Sequence, residues 1–139
     1  MSRLNLKLLP LLSVLIAAPF LLFAQMDLKM KYANSQLYCG IEVGSKGVKL
    51  SVLEVGKNAQ SSGAFQILKD TAINTDFISF SEPTFQATLN GLYDLYQYAM
   101  THFQIPSERV FTVISSGVKM QAEKDNKTDL VNTFIDSFK

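Results

Sequence analysis

The chain is poor in the residues that most often carry chemistry. Its 139 residues include one cysteine, Cys39, and one histidine, His102. A single cysteine excludes an internal disulfide. Cys39 lies in the apolar stretch Leu37 to Val43 with no histidine or cationic cluster beside it, so it reads as a small buried strand residue rather than a reactive thiol. No lipid-attachment motif precedes it, since Gln36, Leu37 and Tyr38 are the wrong neighbours. His102 flanks a helical stripe and reads as a helix-end residue rather than a catalytic base or metal ligand. A dominant charge is lacking too, with 13 Lys and Arg against 12 Asp and Glu. The first 24 residues carry Arg3 and Lys7 and no acid, which leaves 11 basic against 12 acidic groups in the remainder. That balance gives no basic patch or stripe of the kind nucleic acid requires. No internal repeat or low-complexity segment is present.

What the sequence does have begins at its N-terminus. Arg3 and Lys7 form a positive flank, and Leu8 to Phe23 is an apolar run broken by Pro10, Ser13 and Pro19. Ala24 offers a small residue for cleavage. Residues 1–24 therefore read as a signal peptide or a signal anchor, with 8–24 as the anchoring segment. In either case the flanking charges place the rest of the chain outside the cytoplasm, as an exported protein that meets the membrane only through its N-terminus. Residues 25–36 are polar and mixed and read as a tether; 37–139 is the domain.

Within that domain, Leu37–Val43 and Val48–Val55 read as two strands joined by Gly44-Ser45-Lys46-Gly47, a turn whose glycines can take positive φ. Ala64 to Asp70 is a weaker third strand. Ser81 caps a long helix, with Glu82 and Pro83 in its first turn. Phe85, Leu89, Leu92, Tyr93, Tyr96, Ala99, Met100 and Phe103 come next at helical spacing, a stripe wide enough to cover a sheet. Arg109–Ile114 does not alternate and reads as a fourth strand buried on both faces. A second helix lies within Val118–Phe138. A helix between the third and fourth strands implies a crossover and a mixed sheet.

Chemistry concentrates in Gly40-Ile41-Glu42-Val43-Gly44-Ser45-Lys46-Gly47-Val48-Lys49-Leu50. Backbone N–H groups at a glycine-rich tip form a concave nest for phosphate oxygens. An acid two residues earlier can hold magnesium beside them through water. The segment resembles the opening strand of the exopolyphosphatase/guanosine pentaphosphate phosphatase family, of the form G-I-D-x-G-S-N-S-x-R-L-x-V, within the actin, sugar-kinase and DnaK-type chaperone superfamily. Gly40, Ile41, Gly44, Ser45, Val48, Lys49, Leu50 and Val52 stand in register. A second match is looser: the family has a T-S-A-L-R-like segment before a helix, and this chain has Ser115-Ser116-Gly117-Val118-Lys119.

The resemblance implies an α/β, ribonuclease H-like (actin-like) mixed sheet of order β-β-β-α-β-α, incomplete, behind the N-terminal signal or anchor helix. It implies Gly44, Ser45, Lys46, Gly47 and Lys119 as phosphate-binding residues and Glu42 as the metal-facing acid, with Mg2+ as cofactor. The implied ligand is a phosphate-containing small molecule or polyphosphate. Three departures stand out: Glu42 is longer than the family's aspartate, Lys46 replaces a small polar residue, and Lys119 lacks arginine's bidentate fork. The family's second glycine-rich phosphate loop and its glutamate-rich catalytic segment do not occur before Lys139. The expectation is therefore a fragment of a phosphoanhydride hydrolase that lacks a C-terminal lobe and is inactive alone. The alternative is a non-catalytic actin-like domain serving as an anion-binding or protein-interaction module.

Overall fold

The structure is a computed structural model and describes residues 28–139, so the signal or anchor expected at 1–24 lies outside the described residues. No helix among the described residues is long and apolar enough to cross a membrane.

Strands β1 (Gln36–Gly44) and β2 (Gly47–Val55) form an antiparallel hairpin with Gly44 opposite Gly47. A one-turn helix α1 (Ala59–Ser62) leads to β3 (Phe65–Asn74), which pairs antiparallel with β2. The third strand is longer than its weak pattern predicts. A register shift opposite Val52/Leu53 pairs them with Lys69 and Ile67, leaving Leu68 as the extra residue of a bulge. After α2 (Glu82–His102) the chain crosses over to β4 (Val110–Ile114), parallel to β1. The sheet is thus four-stranded and mixed, in the order β3-β2-β1-β4, compatible with an actin-like α/β fold. Two helices close the chain, α3 (Ser116–Lys124) and α4 (Thr128–Ser137). The helix expected within Val118–Phe138 is present as these two, parted where Asn126 takes a left-handed φ of 55°.

Strand parity sets the core. Cys39, Ile41 and Val43 on β1 and Val48, Leu50 and Val52 on β2 point to one face and are essentially fully buried beneath α2. Burial pushes the Cys39 thiol up to about 11, so it packs as a small apolar residue. The Ser81 hydroxyl accepts from the Thr84 N–H (3.4 Å) while the Thr84 hydroxyl accepts from the Ser81 N–H (3.2 Å), which fixes the start of α2. Its buried stripe runs through Phe85, Thr88, Gly91, Leu92, Leu95 and Ala99, then Phe103 at the cap. Tyr93, expected inside, is exposed, and Leu89, Tyr96 and Met100 are half-buried. The stripe is rotated because Gly91 lets the helix approach Ile73 of β3 closely.

Phe134 of α4 packs against Phe77 (ring centroids 4.6 Å) and Phe85 (5.4 Å), tying α4 to α2 and to the 3-10 turn Phe77–Ser79. The opposite face of the sheet carries no helix among the described residues. That corrects the reading of β4 as a strand buried on both faces. It pairs only with β1, and Phe111, Thr112 and Val113 are all exposed.

Candidate functional site

The hairpin tip is held from below. The Ser45 carbonyl accepts from the Ile78 N–H (3.4 Å) and the Lys46 carbonyl from the Thr75 N–H (3.1 Å), so the turn docks on the segment leading into α2. None of Gly44 to Gly47 has positive φ, so the left-handed glycine nest expected here does not form. The glycine at 47 supplies room instead: a Cβ there would lie 2.2 Å from the Ile73 carbonyl oxygen of β3. The N–H groups of Ser45 and Lys46 donate to no other described group.

The second wall comes from α3. Ser115 donates its N–H to the Val43 carbonyl (3.0 Å), which docks the helix start at the end of β1. Its hydroxyl accepts from the Val118 N–H (3.4 Å) as the N-cap, leaving the N–H groups of Ser116 and Gly117 without intrahelical partners. A Cβ on Gly117 would lie 3.7 Å from the Ser45 hydroxyl, so the hairpin tip and the first turn of α3 face each other. Beside them is a groove of about 310 Å3 lined by Glu42, Gly44, Ser45, Lys46, Gly47, Lys49, Ala72, Asn74 and Ser115. Free N–H groups at a helix start, the positive end of its dipole and a serine hydroxyl are the equipment for binding an oxyanion.

Five of the six residues singled out in the sequence line this groove; Lys119 does not. It is exposed on α3 and lines two neighbouring grooves, one with Val43, Leu92, Ile114 and Phe134, the other with Ala122 and Val131. Lys46 is at the tip, but its ammonium is paired with Asp76 at 2.7 Å. The Lys46 hydrogen bond, then that from the Ser79 hydroxyl, holds the Asp76 carboxyl below its usual range. Glu42 is exposed, opposite Lys49 in register, and is the only carboxylate lining the groove. No cluster of three metal-ligating side chains occurs among the described residues. With one carboxylate and the Ser45 hydroxyl, the groove fits a magnesium ion only where substrate phosphate oxygens and water complete its shell.

Sequence reasoning missed two acids. Asp76 pairs with the Lys46 ammonium from 30 residues further along the chain. Glu54 is fully buried at the far end of β2. It accepts from the N–H groups of Lys31 (2.9 Å) and Tyr32 (2.7 Å), the Ser35 hydroxyl (2.6 Å) and the Gln66 amide (2.6 Å). Burial opposes its ionisation, but those four donors, Ser35 foremost, prevail and bring its pKa down to about 2. Residues 28–35, expected to be part of a loose tether, are therefore fastened to the fold. The available signal was parity: Glu54 continues the Val48, Leu50, Val52 series on the buried face.

No protein-family model matches the chain, and no curated protein matches it. Among solved structures, a Ppx/GppA family member from Aquifex aeolicus is similar to it at 16% identity with a TM-score of 0.47. That similarity covers 65% of this chain and 31% of the other. A second structure, of the Aquifex aeolicus PPX-GPPA enzyme, gives 18% identity and a TM-score of 0.45 over 65% of this chain and 32% of that one. A reductive activator for a corrinoid, iron-sulfur protein gives 10% identity and a TM-score of 0.39 over 61% and 16%. The chain thus spans about a third of the length of the two Ppx/GppA structures.

Proposed function

We propose that this chain supplies the phosphate-gripping wall of an exported phosphohydrolase acting on phosphoanhydrides of the polyphosphate type. One observation carries the reading: Ser45 at the hairpin tip meets the first turn of α3, with its free Ser116 and Gly117 N–H groups, across a groove that also holds Glu42. An oligophosphate end would lie there with its oxygens on the N–H groups of Ser45, Lys46, Ser116 and Gly117 and on the two serine hydroxyls. Magnesium, where present, would bridge phosphate oxygens to Glu42 through water. The groove's single carboxylate serves that role, so cleavage of the anhydride needs an acid or base from a further lobe. The wall alone binds without turning over.

A second reading, a non-catalytic anion-binding module, draws on the Lys46–Asp76 pair, which engages the tip's cation with a carboxylate. Pyrophosphate with magnesium, titrated into isotopically labelled protein, should bind at about millimolar Kd, near 4 kcal/mol, and move the amides of 42–48 and 115–118. Asp76→Asn, which frees Lys46, should tighten binding severalfold. Shifts confined to other residues, or binding indifferent to Gly117→Val, would overturn the assignment. Turnover of polyphosphate by this chain, abolished by Glu42→Ala, would show that no further lobe is needed.

A further inference from the structure

The end of the sheet remote from the groove is built around Glu54. Its four hydrogen bonds fasten Lys31, Tyr32 and Ser35 to β2 and β3, and the Tyr32 hydroxyl adds a bond to the Phe65 carbonyl (3.4 Å). Leu28 packs on the core. The chain therefore enters the fold at a fixed place, five residues after the apolar run Leu8–Phe23 ends. Around that place Lys29, Lys31 and Lys57 are exposed, and the Lys31 ammonium lies 5.2 Å from the Tyr32 ring centroid. From Leu28 to Gln36 and from Val55 to Ile67 the sequence has no acid; Asp27 and the buried Glu54 are the two that adjoin. Three large apolar side chains are also exposed here: Met30 (37%), Phe65 (57%) and Ile67 (58%). Phe65 and Ile67 project from the same side of β3, two residues apart. The groove's acid, Glu42, stands opposite Lys49 near the other end of the hairpin, about 20 Å from Val55 at ~3.3 Å per strand residue.

We propose that this end of the sheet docks on an anionic lipid surface. Met30, Phe65 and Ile67 enter the headgroup boundary, Lys29, Lys31 and Lys57 meet lipid phosphates, and the run Leu8–Phe23 is held in the same bilayer. Charge complementarity and the entry point of the apolar run both select a membrane as the occupant. Exposed apolar side chains together with lysines are the composition that binds such an interface. Glu54 then acts as a clasp that fixes where the chain leaves the fold, at the end of the sheet remote from the candidate phosphate groove. Docking of this kind is independent of what the groove binds.

The chain has no tryptophan, so single reporters can be placed without background. The full chain, N-terminal run included, is reconstituted with vesicles of phosphatidylcholine containing one third phosphatidylglycerol and brominated acyl chains. Phe65→Trp should be quenched and blue-shifted, whereas Met120→Trp, at a position 69% exposed on α3, should keep its aqueous emission. Neutralising Lys29, Lys31 and Lys57 to glutamine should move the docking equilibrium on the order of a hundredfold toward the undocked state, the equivalent of about 1 kcal/mol per lysine. Equal quenching at the two positions, no quenching at 65, quenching indifferent to lipid charge, or failure of the chain to associate with the vesicles would each overturn the proposal.

Discussion

Replacing Phe134 by alanine tests whether the groove depends on packing well removed from it. Phe134 is 1% exposed and packs edge-on to Phe85 and tilted against Phe77. Truncating a buried phenylalanine costs about 3–5 kcal/mol, from lost transfer and the cavity left behind. Two favourable aromatic pairs, each worth ~0.5–1.5 kcal/mol, place this site toward the upper part of that range. A groove of about 330 Å3 adjoins the residue, and partial collapse into it lowers the cavity share, so we expect about 4 kcal/mol. At a urea slope of ~1–3 kcal/mol/M, the midpoint should fall by roughly 2 M. The loss should reach the hairpin tip, because Phe77 begins the 3-10 turn whose Ile78 N–H binds the Ser45 carbonyl. Amide exchange at Ile78 should quicken more than at Val52, which is held in the sheet centre. Phe138→Ala, at a half-buried ring against Tyr93 and Tyr96, is the control and should cost less than half as much. A stability loss below about 1 kcal/mol for Phe134→Ala, or equal losses for the two variants, would refute the claim that Phe134 ties α4 to the tip.

Gly47→Ala should destabilise by about 1–3 kcal/mol through overpacking, since its Cβ would collide with the Ile73 carbonyl. Gly40→Ala, with nothing within 4 Å of its added carbon, should stay within ~0.5 kcal/mol; comparable urea midpoints for the two would show that β3 gives way. The depressed Glu54 pKa sets a pH dependence. Its contribution is complete above the unfolded value of 4.5, is lost as pH falls toward about 2, and is absent below that. Asp76, also lowered, slopes the same way. Glu54→Gln should flatten the fall in urea midpoint between pH 4.5 and 2, and an unchanged slope would remove Glu54 as its cause.

The hairpin, the crossover and the long capped helix are legible in the sequence because each has a local cause. Alternation at Val48, Leu50 and Val52 fixes the buried face, and Ser81-Glu82-Pro83 starts a helix whatever surrounds it. The third strand is harder to see because Thr71 to Asn74 form strand only through pairing with Gly47 to Leu50. The helix stripe is legible in its existence but not in its angle. Tyr93 and Met100 share a helical spacing with Leu92 and Ala99, and periodicity alone does not say which edge of a wide stripe meets the sheet. Gly91 does, because its missing side chain is what lets Ile73 close on the helix.

The site is half legible for a related reason. Glu42, Gly44, Ser45 and Gly47 are nearly contiguous, so their proximity follows from a tight turn. Two other features depend on how distant elements dock. Lys46 faces Asp76 only because the end of β3 and the 3-10 turn after it fold back under the tip. Lys119 leaves the groove because Ser115 caps α3. The cap fixes the helix axis at the end of β1, and position 119, one turn in, is carried round to the side facing β4 and α4. The N-terminal N–H groups, rather than a cation on that helix, are then what α3 presents to the groove. β4 shows the same limit from the other direction. Val110-Phe111-Thr112-Val113-Ile114 has the two-sided apolar pattern of a strand within a parallel sheet, yet here it pairs on one edge only. Its pattern records the environment it suits, and its exposure records the neighbours the described residues supply. An apolar edge without charge or proline to guard it is a surface on which further pairing is favourable. The conflict between local pattern and observed surroundings is therefore sharpest at the strand that leads directly into the helix of the candidate site.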